Sequence, residues 1–307
     1  MKYFVKAFFI AQIILLVGCN VQKNNSTKSL ASDKDWKAIL SPFMNSEIIN
    51  MKKRLSDTTR FHPLDKGRGI LSCLYYGKLE NDSVTVEFAH HYLEYYLKYQ
   101  NENILVTDST VLFTYDFDHD EYKANEWWSS MAQSSLAVAY LWGGMEFNDP
   151  RYIAFGKKLI NPVLIPTYSN GCSVALENGG KWFLEYADSS TTVKNAKFVN
   201  NGFLLALLGV KLYSELLNDE YYEKEYQSGL KGFKYLADKF LYPDSSWYYY
   251  MLNPLTIEPA HYVYYCTKLY KSLNLITKDD FFGDLFNERI ELLNKQYSYD
   301  LFKDEKG

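Results

Sequence analysis

Helical periodicity is the feature of this sequence that most limits its possible folds. Over most of the 307-residue chain, segment after segment places apolar side chains three and four positions apart, the spacing that gives a helix one buried face. The segments are Val84 to Tyr99, Trp127 to Trp142, Pro150 to Ile160, Val199 to Leu217, Glu220 to Phe240, Pro259 to Leu273 and Asp279 to Gln296. A short amphipathic helix over Trp36 to Ser56 precedes them. The pattern predicts a mainly α protein with seven or eight helices.

Connectors rich in Gly, Asn, Asp and Pro separate these segments, so successive helices are expected to pair as antiparallel hairpins. Such hairpins can close into an α/α toroid, an incomplete barrel whose inner helix ends line a cleft. The same periodicity equally allows a helical solenoid or bundle. Phe61 to Ile70 is predicted to be rich in turns. Val111 to Asp118 alternates like a half-buried strand, and Glu121 to Lys123 would be its hairpin partner.

The N-terminus has the pattern of a bacterial lipoprotein signal. Two lysines precede an apolar run from Ala7 to Val17 that is too short to span a bilayer comfortably. The run ends in Leu16-Val17-Gly18-Cys19, which resembles a lipobox. We therefore expect Cys19 to carry a lipid that anchors the protein to a membrane; an ordinary cleaved signal is the alternative.

The predicted organisation is a signal peptide over residues 1–19, a flexible tether over 20–35 and one continuous domain over 36–307. The tether is rich in Asn, Ser and Lys and lacks aromatic residues, a composition that does not build a core. The expected location is the bacterial cell envelope, either on the periplasmic face or at the cell surface.

The remaining cysteines, Cys73, Cys172 and Cys266, have no close spacing and indicate neither a disulfide framework nor a metal knuckle, although one bridge is allowed. His90 and His91 are adjacent and would point apart on a helix. Asp116 to Asp120 lacks the glycine and glutamate of a calcium loop. We expect no metal and no cofactor.

Aromatic content is unusually high, with 28 Tyr, 19 Phe and 6 Trp against a net charge of only -4. Aromatic faces pack on the apolar faces of pyranose rings while phenol hydroxyls bind sugar oxygens, so this composition suits a carbohydrate cleft. Nucleic acid is an unfavourable partner, because no basic patch with interleaved aromatics is present.

Two motifs point to a reaction. The first runs from Trp182 through Glu185 and Tyr186 and is followed by Asn201-Gly202-Phe203, while the second is Trp127 to Gln133. Together they resemble the C-terminal domain of the D-glucuronyl C5-epimerase family, which inverts carbon 5 of uronic acids within polysaccharides. The resemblance extends from about Phe61 to Leu273.

The resemblance implies a set of site residues. The family's acidic residue and tyrosine fall on Glu185 and Tyr186. A tyrosine after a Ser-rich turn falls on Tyr248, and the last family tyrosine falls on Tyr262, with His261 as its rival. The residues expected to bind or orient the sugar are Trp128, Gln133, Lys181, Trp182, Asn201 and His261.

The sequence departs from the family in two ways. The run Tyr248 to Leu252 lacks the family's arginine and histidine, which leaves Lys181 as the nearest cation in sequence for an acidic sugar. We also expect no counterpart of the family's separate N-terminal β domain.

Inverting C5 requires one group that removes the proton and another that returns it to the opposite face. Desolvation of Glu185 among aromatic residues would raise its pKa toward neutrality, and the tyrosines could donate to the enolate that forms. The alternatives are a uronan lyase or hydrolase on the same toroid and a non-catalytic glycan-binding lipoprotein. The glycan, its linkage and the oligomeric state stay open.

Overall fold

The computed structural model describes residues 34–57, 59, 61–98, 104–119, 122–123 and 126–297. Its helices, in chain order, are α1 (Trp36–Leu40), α2 (Ile48–Ser56), α3 (Pro63–Leu79), α4 (Ser83–Leu97), α5 (Ser130–Glu146), α6 (Pro150–Leu164), α7 (Asn200–Leu217), α8 (Glu220–Leu236), α9 (Ala260–Thr277) and α10 (Asp280–Tyr297). Short strands form β1 (Ile104–Val106), β2 (Val111–Phe113), β3 (Ser173–Ala175), β4 (Lys181–Phe183), β5 (Tyr249–Leu252) and β6 (Leu255–Ile257). From α3 onward the helices pack as consecutive hairpins, α3 with α4, α5 with α6, α7 with α8 and α9 with α10.

The turn inside each hairpin has a common sequence, in which a left-handed residue precedes a capping aspartate. The pairs are Asn81-Asp82, Asn148-Asp149, Asn218-Asp219 and Lys278-Asp279, with φ of 57°, 50°, 51° and 59° at their first residues. Asparagine tolerates the left-handed conformation that ends the first helix. The aspartate carboxylate then accepts a backbone N–H two or three positions further on and starts the second helix. These local signals fix the hairpins.

The first helix of each hairpin lies inside. α3 packs against α5, α5 against α7 and α7 against α9. α5 and α7 are buried on every side from Ser130 to Gly144 and from Asn200 to Ser214, whereas α6 and α8 bury one face. The inner helices thus form an arc within an outer layer, which is the α/α toroid. A solenoid or simple bundle does not have this arrangement.

The N-terminal segment 36–56 closes the seam between the two ends of the arc. α1 and the 3-10 turn Ser41–Phe43 pack against α9, while α2 packs against α3. The Pro42 carbonyl accepts hydrogen bonds from Arg68 of α3 at 3.4 Å and from Tyr265 of α9 at 2.9 Å. Ser272 of α9 also donates to the Ala38 carbonyl at 2.8 Å. The seam is therefore held by polar contacts to both neighbouring helices.

Each connection from an outer to an inner helix carries an antiparallel β-hairpin. The pairs are β1 with β2, β3 with β4 and β5 with β6, and they precede α5, α7 and α9 respectively. Because these hairpins all lead into inner helices, they gather where those helices begin. The same end of the toroid therefore carries the connectors and the positive ends of the helix dipoles.

Three local predictions are corrected by the structure. The passage from Phe61 to Ile70 was expected to be turns, but it starts α3 at Pro63, a residue suited to the first helical position. A Cβ on Gly67 would lie 2.6 Å from the Leu136 backbone nitrogen, so this glycine permits close packing of α3 on α5 and marks no turn. The predicted helix over residues 36–56 is divided by the 3-10 turn that contains Pro42.

The strand prediction was right in position and wrong in partner. Only Val111–Phe113 is a strand, and it pairs with β1 upstream. Of the expected partner residues, Tyr122 forms an isolated bridge with His119.

The predicted signal peptide, Cys19 and nearly all of the predicted tether lie outside the described residues. None of the described helices is long and apolar enough to cross a membrane. Cys73, Cys172 and Cys266 are buried free thiols, so the one allowed bridge does not form among them.

Candidate active site

A cleft of about 630 Å³ opens at the end of the toroid where the inner helices begin. Its walls come from the first turns of α3, α5, α7 and α9 and from the connectors before α5 and α7. It is lined by His62, Leu64, Asp65, Arg68, Tyr115, Phe117, His119, Trp127, Ser129, Met131, Glu185, Tyr186, Asn201, His261, Tyr262 and Tyr265.

Glu185 is the carboxylate in this cleft whose environment is most unusual. The segment after β4 is fixed by a backbone hydrogen bond from Ser130 to the Leu184 carbonyl at 2.9 Å. The Oε2 atom of Glu185 lies so close to Gly202 that a Cβ on Gly202 would overlap it. Oε2 is shielded from solvent and has no hydrogen-bond partner among the described residues. Burial raises the pKa of Glu185 to about 7, against the opposing effects of the Tyr186 hydroxyl and the Arg68 charge.

A carboxyl with this pKa is divided between its two protonation states at neutral pH. It can therefore act both as a base and as an acid in that range.

Three of the tyrosines near this carboxyl are Tyr186, Tyr250 and Tyr262. Tyr186 and Tyr262 line the cleft, and the Tyr250 ring stacks on Tyr262 with centroids 5.0 Å apart. Burial, followed by the charge of Glu185, raises the pKa of all three phenols. All three are therefore protonated donors at neutral pH, the form that stabilises developing negative charge.

The strand that carries Tyr250 contains a β-bulge between Tyr249 and Met251. A bulge breaks the regular alternation of side chains, so residues two apart need not share surroundings. Tyr248 accordingly lies elsewhere, in a cluster with Val263 and Leu293, and its ring faces the Arg289 guanidinium at 3.8 Å. Tyr248 is not among the residues that line the cleft.

Arg68 is the cation of the cleft, and sequence reasoning missed it. Its Nη2 atom donates to the Tyr265 hydroxyl at 2.6 Å, and its Nε atom is buried without a hydrogen-bond partner in the described part of the chain. Burial raises the pKa values of Glu185 and Tyr262, and the positive charge of Arg68 partly offsets that rise in both groups. The predicted cation, Lys181, instead pairs with Glu225 at 2.6 Å and donates to the Leu164 carbonyl.

Asn201 adds an acceptor to the same cleft. The residue is buried at the start of α7, and its Oδ1 atom also has no hydrogen-bond partner in the described structure. Buried polar atoms are normally hydrogen-bonded. Unsatisfied atoms on Glu185, Arg68 and Asn201 that converge on one cleft are a typical sign of a site that binds a polar ligand.

Aromatic rings form one wall of the cleft. Tyr115 and Trp127 stack with their centroids 3.8 Å apart and their planes within 2° of parallel. His119 stacks on Tyr186 at 4.7 Å. The rings give the cleft an apolar surface of the kind that packs on a sugar face.

Residues 107–291, more than half of the chain, match the family model described as the D-glucuronyl C5-epimerase C-terminus. The chain belongs to this family. No curated protein sequence matches it. Membership of this family points to a carbohydrate-active enzyme.

A solved structure shares the fold of this epimerase-family domain. The unsaturated glucuronyl hydrolase of Bacillus sp. GL1 is similar over 81% of this chain and 67% of its own, with 12% identity and a TM-score of 0.51. An endoglucanase from Komagataeibacter sucrofermentans covers 78% of this chain and 70% of its own, with 13% identity and a TM-score of 0.47. At such identities the likeness concerns the fold alone.

The family resemblance and the geometry agree on part of the site. The cleft brings together Glu185, Tyr186, Asn201, His261 and Tyr262. In contrast, Trp128, Gln133, Lys181, Trp182 and Tyr248 are absent from its lining.

Their contacts explain the difference. Trp128 Nε1 donates to the Gly171 carbonyl at 2.8 Å, so its neighbour Trp127 faces the cleft instead. Gln133 accepts from the Phe113 N–H at 2.9 Å and donates to two backbone carbonyls, which ties α5 to β2. The Trp182 ring stacks on Phe203 at 4.0 Å within the core.

The arginine that lines the cleft comes from another part of the chain than β5, where the family's arginine is missing. Arg68 lies on α3, outside the matched segment 107–291. The signal that could have found it is the Pro-Leu-Asp triplet at residues 63–65, which starts a helix at Pro63 and therefore puts Arg68 in its second turn.

Proposed function

We propose that this protein is a polysaccharide epimerase that inverts C5 of D-glucuronate-type residues within a glycan chain. The observation that carries the proposal is Glu185, a carboxyl with a pKa of about 7 and an unsatisfied oxygen, in a cleft with Tyr262 and Arg68. Membership of the epimerase family supports the same reaction.

In the proposed reaction the Glu185 carboxylate removes the proton from C5. The electron pair of the C–H bond moves into the sugar carboxylate, which becomes a dianionic enolate. The Tyr262 hydroxyl then delivers its proton to the opposite face of C5, and the pair returns to carbon. Glu185 ends protonated and Tyr262 ends as a phenolate, and solvent restores both groups. Because Arg68 lowers the pKa of Tyr262, it favours the phenolate that this step creates.

Charge stabilisation is the larger demand, because the enolate carries two negative charges. Arg68 offers a buried N–H, and Tyr186 offers a phenol hydroxyl that burial keeps protonated, while Tyr250 supports Tyr186 through a side-chain hydrogen bond. The first turns of the inner helices add backbone dipoles of the right sign. The Tyr115 and Trp127 wall would hold the sugar ring.

We also propose that the enzyme is lipid-anchored through Cys19 in the bacterial cell envelope, with residues 36–307 as its working domain. A uronate-containing polysaccharide in that compartment would be its partner. Palmitate labelling of the expressed chain, compared with Cys19→Ser, would test the anchor.

The test of the reaction is proton exchange at C5. The full chain is incubated in heavy water with a panel of uronate polysaccharides, and deuterium at C5 is measured by NMR. Incorporation with new iduronate-type signals, lost in Glu185→Gln and kept in the exposed control Glu177→Gln, supports the epimerase. An unsaturated product absorbing in the ultraviolet would indicate a lyase. Binding without exchange would indicate a glycan-binding protein and contradict the proposal.

A further inference from the structure

A second pocket of about 260 Å³ adjoins the cleft, and its lining contains neither Glu185 nor Tyr262, the proposed base and acid. The two cavities share Asp65, Arg68, His261 and Tyr265 as a common wall. On its far side the second pocket is bounded by residues of the N-terminal segment and by Lys268 of α9. A ligand longer than one sugar could therefore extend from the cleft into this pocket.

The pocket exists because the N-terminal segment closes the seam of the toroid. The 3-10 turn around Pro42 is held to α3 by Arg68 and to α9 by Tyr265. The Asn45 backbone N–H donates to Ser72 of α3 at 2.9 Å and fixes the next part of the wall. This wall lies before the matched segment 107–291, so it is a feature of this chain that the family match does not cover.

The charge of the pocket favours an anion. Its lining contains the basic residues Arg54, Arg68 and Lys268 and one acidic residue, Asp65, whose Oδ1 is 3.3 Å from Arg54 Nη1. The buried Nε atom of Arg68 has no hydrogen-bond partner among the described residues and lies on a residue common to both cavities. Beyond the Arg54–Asp65 pair the lining still contains Arg68 and Lys268, and such an excess of positive charge fits a carboxylate ligand.

We propose that this pocket binds a further acidic sugar of the same glycan chain, with its carboxylate facing Lys268 and Arg54. The inference rests on the proposed function for the identity of the glycan. It adds that the N-terminal segment builds a second uronate site beside the one where the reaction takes place.

The test uses heparosan oligosaccharides of two, four and six sugars with the full chain. Lys268→Met removes the pocket charge, and Lys271→Met is the control, because it removes the same charge from the same helix outside the pocket lining. Lys268→Glu serves as a second, stronger variant. Binding is measured by calorimetry and turnover by C5 deuterium exchange.

We expect Lys268→Met to weaken binding of the hexasaccharide about three- to tenfold, as loss of one charge-assisted contact to a partly exposed group would. KM should rise by the same factor while kcat is unchanged. The disaccharide, which cannot fill both cavities, and the carboxyl-reduced hexasaccharide should bind Lys268→Met and the wild type alike. Lys271→Met should match the wild type throughout.

Equal hexasaccharide affinity in Lys268→Met and the wild type, with C5 exchange intact, overturns the pocket assignment and leaves the proposed function standing. Lys268-dependent binding without any exchange has the opposite meaning, because it supports the pocket and contradicts the epimerase. Absence of binding by every oligosaccharide overturns both.

Discussion

Two carboxyl groups in this protein, those of Glu258 and Glu185, have contrasting surroundings. Both oxygens of Glu258 are engaged, Oε2 with Arg289 Nη1 at 2.8 Å and Oε1 with Cys266 Sγ at 3.2 Å. Arg289 in turn faces the rings of Tyr248 and Tyr270. Glu185 has a buried oxygen without a hydrogen-bond partner in the described chain and a pKa raised to about 7. A carboxylate with both oxygens paired holds the fold together, whereas a carboxyl with a buried, unpaired oxygen is available for chemistry.

The same contrast separates the tyrosines of β5 and its surroundings. Tyr248 belongs to the Glu258 cluster and contacts Arg289, whereas Tyr262 belongs to the cleft and is affected by the charge of Glu185. The same substitution, Glu to Gln or Tyr to Phe, is therefore expected to have different effects in the two clusters.

The largest effect is expected from Glu185→Gln. It removes the proposed base, so C5 exchange should fall at least about 10³-fold, within the range for loss of general acid–base catalysis. The fold should persist, because the neutral amide no longer pays the desolvation cost of a buried charge. Exchange is followed by NMR and stability by urea unfolding. If Glu185→Gln keeps a tenth of the wild-type exchange rate, Glu185 is not the base.

Glu258→Gln should have the reverse outcome. It leaves Arg289 buried without its counter-charge, which costs about 3–5 kcal/mol when one partner of a buried pair is removed. Exchange per folded molecule should be unchanged. Urea unfolding measures the loss, and the double variant Glu258→Gln with Arg289→Met should recover part of it. Full stability in Glu258→Gln alone would show that the pair is not structural.

The tyrosine pair sharpens the comparison. Tyr262→Phe should lower exchange about 10²-fold through loss of the proton donor, with little change in the free energy of unfolding. Tyr248→Phe should keep the rate, because its ring contact with Arg289 survives loss of the hydroxyl. C5 exchange is measured on both variants in parallel. Slow exchange in Tyr248→Phe with normal exchange in Tyr262→Phe would show that Tyr248, and not Tyr262, is the proton donor.

The smallest effect concerns pH. The pKa of Glu185 is raised to about 7 in the folded protein, against 4.5 for the unperturbed group. The protonated carboxyl therefore contributes to the free energy of unfolding in full below about pH 4.5, and this contribution is lost as pH rises through about 7. Because the residue is partly exposed, we expect a loss of about 2 kcal/mol relative to Glu185→Gln over this interval.

The exchange rate should move the other way, rising with pH and levelling near 7 as the base ionises. Urea unfolding of both proteins between pH 4 and 8, with rates at the same pH values, checks the two trends. A difference in stability that does not depend on pH would show that Glu185 is not desolvated.

Local signals in the sequence determined the helical hairpins and one part of the site. Apolar spacing specifies which face of a segment is buried, and the Asn-Asp turns specify where a hairpin reverses, so both can be read within a few residues. Glu185 and Tyr186 were predicted because they match the acidic residue and tyrosine of the family motif, and both line the cleft.

Tertiary structure alone decided the rest, because it depends on contacts between residues far apart in the chain. Arg68 reaches Glu185 only once α3 packs on α5, and the glycine that allows this packing made the segment look like a turn. The bulge in β5 assigned Tyr248 to the Arg289 cluster and Tyr250 to the stack with Tyr262. Closure of the seam by the N-terminal segment created the second pocket. The aromatic residues near Glu185 in the sequence predicted a raised pKa, but its value of about 7 depends on burial that only the packed structure supplies.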